Sequence, residues 1–349
     1  MKPGLSPPTW LYTLLIVACG SGSDGSTGPG PGQKSPAPPP PTTGPTGNYE
    51  STIAFVSERD GNAEIYVIGP NGERRVTNDP AKDQNPVWSP GGSRIAFERN
   101  GALWAIGADG SNPVQLTHPP SGAFDVRQNN IPLSSSDGRL LYLRYEPAAI
   151  TIRVVNFDGS NDVEITSGTL PTWSGDGSLI AFDYGGVGGS DVFLIQSDGS
   201  QRRDLTNSAN AQEDWPVISA DGKYVAFASS VDGIVVMRTD GSTRTVMGHG
   251  SNSYRWSPDA SRLAFREPRA GTASDFDVDV INVDGSGVRK VTNEAFFVAY
   301  LDWSPDGTRI AFDNGPFTGG HVYVAKADGS GLMQVTPTAS TDYEPAWKR

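Results

Sequence analysis

The chain has 349 residues, 36% apolar and 19% charged, with 42 glycines, 28 prolines, one cysteine and a net charge of −12. An acidic balance of that size opposes binding to nucleic acid, which needs clustered Lys and Arg, and offers no basic patch to anionic lipid headgroups. A single cysteine excludes a disulfide within the chain.

In chain order, the first element is an export segment. Lys2 precedes an apolar run from Trp10 to Ala18, and Cys19 follows it. Nine residues are too few to cross a bilayer, which takes about 20 in a helix. The run therefore reads as the core of a signal peptide over residues 1–18. Ile16-Val17-Ala18-Cys19 is similar to a bacterial lipobox, which implies acylation of the Cys19 thiol and membrane attachment through lipid alone. The competing reading, a buried core thiol, has no strand pattern around Cys19 to support it. From Cys19 to residue 49 the chain is mostly Gly, Ser, Pro and Thr, with Pro38 to Pro41 in a row. Such a composition buries too little apolar surface to offset chain entropy and predicts a disordered tether. About 30 flexible residues span on the order of 30 Å.

Residues 50–349 repeat one pattern: a tryptophan strand, a tight turn, an Ile-Ala-Phe strand, a third strand, an Asp-Gly-Ser turn and a Leu-Thr strand. The Ile-Ala-Phe position opens at Ile53, Ile95, Leu140, Ile180, Val225, Leu263 and Ile310, intervals of 42, 45, 40, 45, 38 and 47 residues. The tryptophan position holds Trp88, Trp173, Trp256, Trp303 and Trp347, with Leu133 and Ile218 in the two gaps. Short apolar runs between Asp-Gly, Gly-Gly and Asn-Gly turns predict antiparallel hairpins, and no sustained 3.6-residue period predicts helix. Four strands per unit of about 40–45 residues predict an all-β fold, a β-propeller. Seven copies of each position predict seven blades; six or eight would need two positions misassigned. The first unit lacks its tryptophan strand and Pro345-Ala346-Trp347 supplies only that strand, so the C-terminal strand is expected to complete the N-terminal blade.

Asn85 to Phe97 (NPVWSPGGSRIAF), Ser57 to Val67 (SERDGNAEIYV) and Trp303 to Gly307 (WSPDG) carry a further resemblance. On these motifs residues 50–349 resemble the TolB-like branch of the WD-repeat-like propellers. The resemblance implies the fold and an extended peptide as ligand at the channel mouth. The N-terminal α/β domain of the family's type member, and its six-bladed ring, have no counterpart in this pattern.

Strand order puts the turns between strands one and two, and three and four, on one face, and the variable connections on the other. Function on a rigid scaffold tends to sit on variable loops. The connection from His118 to Asn130 carries Phe124, Asp125 and Arg127; that from Asn293 to Ala299 carries Phe296 and Phe297 and leads into Tyr300. Loops after the Ile-Ala-Phe strands add Arg59, Arg99, Arg144, Tyr184, Arg266, Arg269 and Phe317. Exposed aromatics and arginines anchor interfaces, which makes Phe124, Arg127, Phe296, Phe297, Tyr300 and Phe317 candidates for partner binding. Asp83, Glu213, Asp214 and Asp342 precede the tryptophan strands. Asp214 is kept as a candidate at the channel mouth, while the recurrence of an acid at this position reads as loop hydrogen bonding. His118, His249 and His321 lack metal-ligand spacing, and no nucleophile elbow or phosphate loop occurs. The sequence thus predicts no metal or cofactor. Its reading is a monomeric, lipid-anchored protein of the bacterial envelope, placed at the outer membrane, that binds a protein or peptide partner without catalysis. The alternative is a carbohydrate-binding or polysaccharide-degrading propeller using the same face.

Overall fold

The computed structural model describes residues 51–126, 135–186, 189–208, 211–248, 253–270, 275–293, 298–315, 319–337 and 340–349. Their strands form seven four-stranded antiparallel sheets, the blades of a propeller. Blade one sets Asp342–Trp347 beside Ile53–Ser57, Glu64–Gly69 and Gly72–Arg75. Blade two runs Asp83–Trp88, Arg94–Arg99, Ala102–Gly107, Val114–Gln115, and blade three Phe124–Val126, Arg139–Glu146, Ala149–Asn156, Val163–Ser167. Blade four runs Thr169–Trp173, Leu179–Gly186, Gly189–Gln196, Arg203–Asp204, and blade five Glu213–Ile218, Tyr224–Ser229, Gly233–Arg238, Arg244–Val246. Blade six is Tyr254–Trp256, Arg262–Pro268, Phe276–Asn282, Arg289–Lys290, and blade seven Leu301–Trp303, Arg309–Asp313, Val322–Lys326, Met333–Gln334. A 3-10 turn at Pro90–Gly92 is the one helical element among the described residues.

The Ile-Ala-Phe triplet repeats because alternate side chains of a strand point to opposite faces. Ile and Phe face the preceding blade and Ala faces the next one. Ala54 of blade one lies in the same buried cluster as Trp88, Ile95 and Phe97 of blade two. Ala96 shares a cluster with Leu140 and Tyr142 of blade three, Ala181 with Val225 and Phe227 of blade five, and Ala264 with Trp303, Ile310 and Phe312 of blade seven. Ala311 meets Ile53, Phe55 and Trp347 of blade one, which closes the circle. The second-strand rings Phe55, Phe97, Tyr142, Phe182, Phe227, Phe265 and Phe312 are fully buried. Burying one such side chain contributes about 1.5–3 kcal/mol, so the blade-to-blade layers hold most of the core.

The recurring tryptophan adds a directional bond to that packing. The Trp88 indole donates to the Ala346 carbonyl (3.1 Å), Trp256 to Val217 (2.9 Å) and Trp303 to Arg255 (3.0 Å). Each acceptor is the residue before the tryptophan position of the preceding blade, so one side chain both fills the layer and ties two first strands together. Where the ring closes, the bond changes. Asp302 of blade seven accepts the Trp347 backbone N–H (2.9 Å) and the Arg349 guanidinium (2.7 Å), while the buried Trp347 Nε1 has no partner among the described residues.

The expected clasp is present. Ile53 pairs with Trp347, Ala54 with Ala346, Val56 with Tyr343 and Ser57 with Asp342. The Asp-Gly-Ser turns need their glycines for space as well as for φ. Gly329 sits at φ +86°, and a Cβ there would come within 2.6 Å of the Lys290 carbonyl of blade six. The preceding aspartates cap these turns: Asp109 accepts both the backbone N–H (2.9 Å) and the hydroxyl (2.6 Å) of Ser111.

Three substitutions test this architecture by chemical denaturation. Trp303→Ala is expected to cost about 3–5 kcal/mol, combining lost burial with a cavity. Ala264→Leu, which overfills the layer against Phe312, is expected to cost about 1–3 kcal/mol. Removing Tyr343–Arg349 is expected to oligomerise or unfold the chain by exposing the edge at Ile53–Ser57.

Candidate functional site

On the face of the variable connections, the first or second residues of three first strands form a rim of buried ion pairs. Asp83 receives both guanidinium arms of Arg99 at 2.6 Å, and Asp125 those of Arg144 at 2.7 and 2.9 Å. In blade one, Arg59 reaches Asp342 at 3.1 Å and also bonds Glu73. The three aspartates are fully buried, and Arg99 and Arg144 are 8% and 6% exposed. These two arginines are therefore not free anchors, as their loop-end position suggested. Each closes the second strand of its blade against an acid on the first strand. Burial pushes the Asp83 carboxyl up to about 6, against the pull of its bonds to Arg99 and Thr77.

Just inside this rim, four first strands carry a residue with left-handed backbone immediately before a proline: Asn85 (φ 54°), Leu170 (φ 50°), Trp215 (φ 60°) and Glu344 (φ 56°). Proline disfavours the helical region for its predecessor, and positive φ is strained for any residue with a Cβ, at about 1–3 kcal/mol each. The register slips at each of these places, so every one is a bulge. Bonds across blades hold two of them. The Asn85 N–H donates to Glu344 Oε2 (2.6 Å), and the Tyr254 hydroxyl donates to the Trp215 carbonyl (2.5 Å).

Of the residues singled out from sequence, Phe124 lies in the first strand of blade three and not in a connection. It pairs with Tyr145, and the two rings stack in parallel with centroids 4.9 Å apart. Tyr300 precedes the first strand of blade seven. Burial pushes its hydroxyl well above the usual tyrosine range, and the carboxylates Glu344, Asp313 and Glu98 push the same way. Asp214 accepts a hydrogen bond from the Ser190 hydroxyl, and Asp183 one from the Thr169 hydroxyl. Burial pushes the Asp183 carboxyl well above the usual carboxylate range and holds Asp214 above its ordinary value. Cys19, Arg127, Phe296, Phe297 and Phe317 lie outside the described residues. So does His249. Of the other histidines His118 is exposed, and among the described residues no three His, Cys, Asp or Glu gather as a metal site.

Sequence reasoning did not anticipate the opposite end of the ring axis. There, at the tight turns, a cavity of about 300 Å³ is lined by Pro86, Trp88, Pro90, Ser136, Trp347 and Arg349 among others. A second, of about 100 Å³, is lined by Trp173, Trp256, Pro258, Arg255 and again Arg349. Together their walls come from all seven blades. Arg349, its side chain half exposed, stands between them with one guanidinium arm on Asp302. Burial holds the Arg255 guanidinium down to about 10, partly offset by the field of Asp302. The one available signal was the repeat itself: the residues following each tryptophan had to converge at the axis.

Residues 40–213 match the family model described as TolB beta propeller domain. The chain is a TolB-like β-propeller. An uncharacterised protein of Agrobacterium fabrum, Atu1656, is 25% identical over 281 residues, covering 78% of this chain and 75% of that protein. Among solved structures, TolB from Acinetobacter baumannii superposes with a TM-score of 0.54 at 16% identity, over 86% of this chain and 67% of the other. An oligogalacturonate lyase from Vibrio parahaemolyticus does so with a TM-score of 0.66 at 15% identity, over 79% and 86%. At such identities the likeness is one of fold. A TolB-like ring is thus a frame that unrelated activities share.

The rim pairs have a measurable weight. Arg99→Ala strands the buried Asp83 carboxylate and is expected to cost about 3–5 kcal/mol in unfolding free energy, whereas replacing both partners by apolar residues of similar volume is expected to recover most of it.

Proposed function

We propose that this TolB-like propeller is a lipid-anchored envelope protein that binds an extended protein segment at the axial mouth on the face of the tight turns. The mouth is the observation that carries this reading. Prolines and tryptophans line it together with the Asp302 carboxylate and the Arg349 guanidinium, and about 300 Å³ lies at the lower end of the range for ligand pockets. An extended segment can lay apolar side chains on such walls and satisfy its backbone on Asp302, Arg349 and Ser136. The carbohydrate reading has less support. Glycoside hydrolysis needs a pair of carboxyls about the scissile bond, and Asp302 is the one acidic residue among those lining the mouth. The anchor rests on the motif ending at Cys19 and on the Gly, Ser and Pro composition that follows it.

Two experiments test this. A photoreactive residue at the exposed Ser136, in the full-length protein in membranes, is expected to give a discrete protein adduct. The same residue at Val231, 70% exposed on the opposite face, is expected to give none. Adducts from Val231 alone would move the working face to the variable connections. Cys19→Ser is expected to shift the protein from the membrane to the soluble fraction, because two or three acyl chains at about 0.8 kcal/mol per buried CH₂ are its membrane affinity. An unacylated Met1 N-terminus in the wild type would remove the anchor.

A further inference from the structure

The two axial cavities share the wall residues Gly175 and Arg349. Three charged side chains line them: Asp302 in the larger, Arg255 in the smaller and Arg349 in both. Asp302 is buried and both its oxygens are engaged. Oδ2 accepts the Trp347 backbone N–H at 2.9 Å, and Oδ1 accepts Arg349 Nη2 at 2.7 Å. A guanidinium carries five N–H donors in a fixed fork, and Arg349 uses one arm of it. Among the described residues its Nε and Nη1 make no hydrogen bond, although the side chain is only half exposed. Arg255, 6% exposed, donates from Nη1 to the Tyr254 carbonyl at 2.8 Å. Burial holds its guanidinium down to about 10, and the like charge of Arg349 acts in the same direction, against the pull of Asp302. The wall hydroxyls bring no further negative charge into the cavities. Ser135, Ser174 and Ser257 donate to Asp137, Asp176 and Asp259 of the tight turns, and none of these aspartates lines either cavity. In a chain with a net charge of −12, this end of the axis therefore presents two guanidiniums to one carboxylate, and that carboxylate is fully used.

We propose that the smaller cavity receives an aspartate or glutamate side chain of the extended segment, its carboxylate held by the free donors of Arg349 in the field of Arg255; this rests on the peptide reading above. Charge selects the ligand. A carboxylate completes the Arg349 fork, which then bridges it to Asp302, whereas a lysine or arginine would meet two like charges. Size selects which part of the ligand enters. About 100 Å³ takes the tip of one side chain and not a length of backbone, while the adjoining 300 Å³ can lodge the residues on either side of it. Trp173, Trp256 and Pro258 wall the smaller cavity with apolar surface. Hydrogen bonds to charged groups are stronger in such surroundings than in water. A segment that crosses the mouth presents its side chains there, so the carboxylate is a side chain's and not a chain end's.

Pools of octapeptides, each with one fixed residue and with both ends blocked by acetylation and amidation, test this on the full-length protein in detergent. Pools fixed as Asp or Glu at one position are expected to bind about tenfold more tightly than those fixed as Asn or Gln, the scale of one charge-assisted hydrogen bond. That comparison needs no variant. Arg349→Gln is expected to abolish the difference while the preference for apolar residues at other positions remains, which also shows that the variant is folded. Arg349→Glu is expected to turn the preference toward Lys and Arg, because two carboxylates then face one guanidinium. Lys223→Gln, the same loss of charge on an exposed side chain of a tight turn, is expected to leave the Asp and Glu preference in place. Peptide binding without an acid preference overturns the carboxylate site and leaves the peptide reading standing. An acid preference that survives Arg349→Gln also overturns the site. Binding only by a parallel set with free C-termini gives the cavity to a chain end and overturns the side-chain assignment. Failure of every pool to bind overturns both readings.

Discussion

An alanine at the centre of most second strands leaves a gap that a ring from the next blade fills, and the geometry of the whole propeller depends on that fit. Protein interiors are packed as densely as organic crystals, so a small residue on one surface and a large one on the facing surface set the distance between two sheets. Repeated from Ala54 against Phe97 to Ala311 against Phe55, the fit returns to its starting point after seven steps. The indole bonds of Trp88, Trp256 and Trp303 then fix how far blades two, six and seven slide along the blades before them. Packing supplies most of the energy and the tryptophans supply register.

Several buried carboxylates enter this frame with partners. Asp83 and Asp125 are buried beside guanidiniums, Asp313 accepts the backbone N–H groups of Glu344 and Gly315, and Asp183 accepts the Thr169 hydroxyl. The strained residues before proline, Asn85, Leu170, Trp215 and Glu344, sit among these groups, where cross-blade bonds hold Asn85 and Trp215 in place. Strain of this kind persists only where surrounding structure over-determines it. The inner end of each blade is thus both its most constrained part and the part nearest the axis.

The blade count, the four-stranded units and the terminal clasp were legible in the sequence, because tryptophan spacing, Asp-Gly turns and an incomplete first unit are local patterns. What was not legible depended on pairs far apart in the chain. Arg99 and Arg144 read as exposed because they end a strand pattern, and only the second strand's pairing with an acid 16 or 19 residues earlier buries them. Phe124 read as a loop residue because no tryptophan marks the first strand of blade three, whose tryptophan position was read at Leu133. Ile218 read as a simple gap in the repeat, yet it removes a donor from one junction of the ring. The axial mouth was invisible for a related reason. Trp88, Ser136, Asp302 and Arg349 become neighbours only once seven separate units close.

The clasp also sets a timetable. Blades two to seven are each contiguous, so their hairpins can form as soon as their residues are available. Blade one cannot, because Ser57 and its partner Asp342 are 285 residues apart. At a synthesis rate of about 5–20 residues per second, that separation corresponds to about 15–60 s, during which Ile53–Ser57 has an unpaired edge. Closure entropy grows only slowly with loop length, so the penalty falls on time and exposure more than on final stability. The edge most prone to pairing with another copy is thus the last to be covered, and any factor shielding this protein as it is made has that single strand to protect.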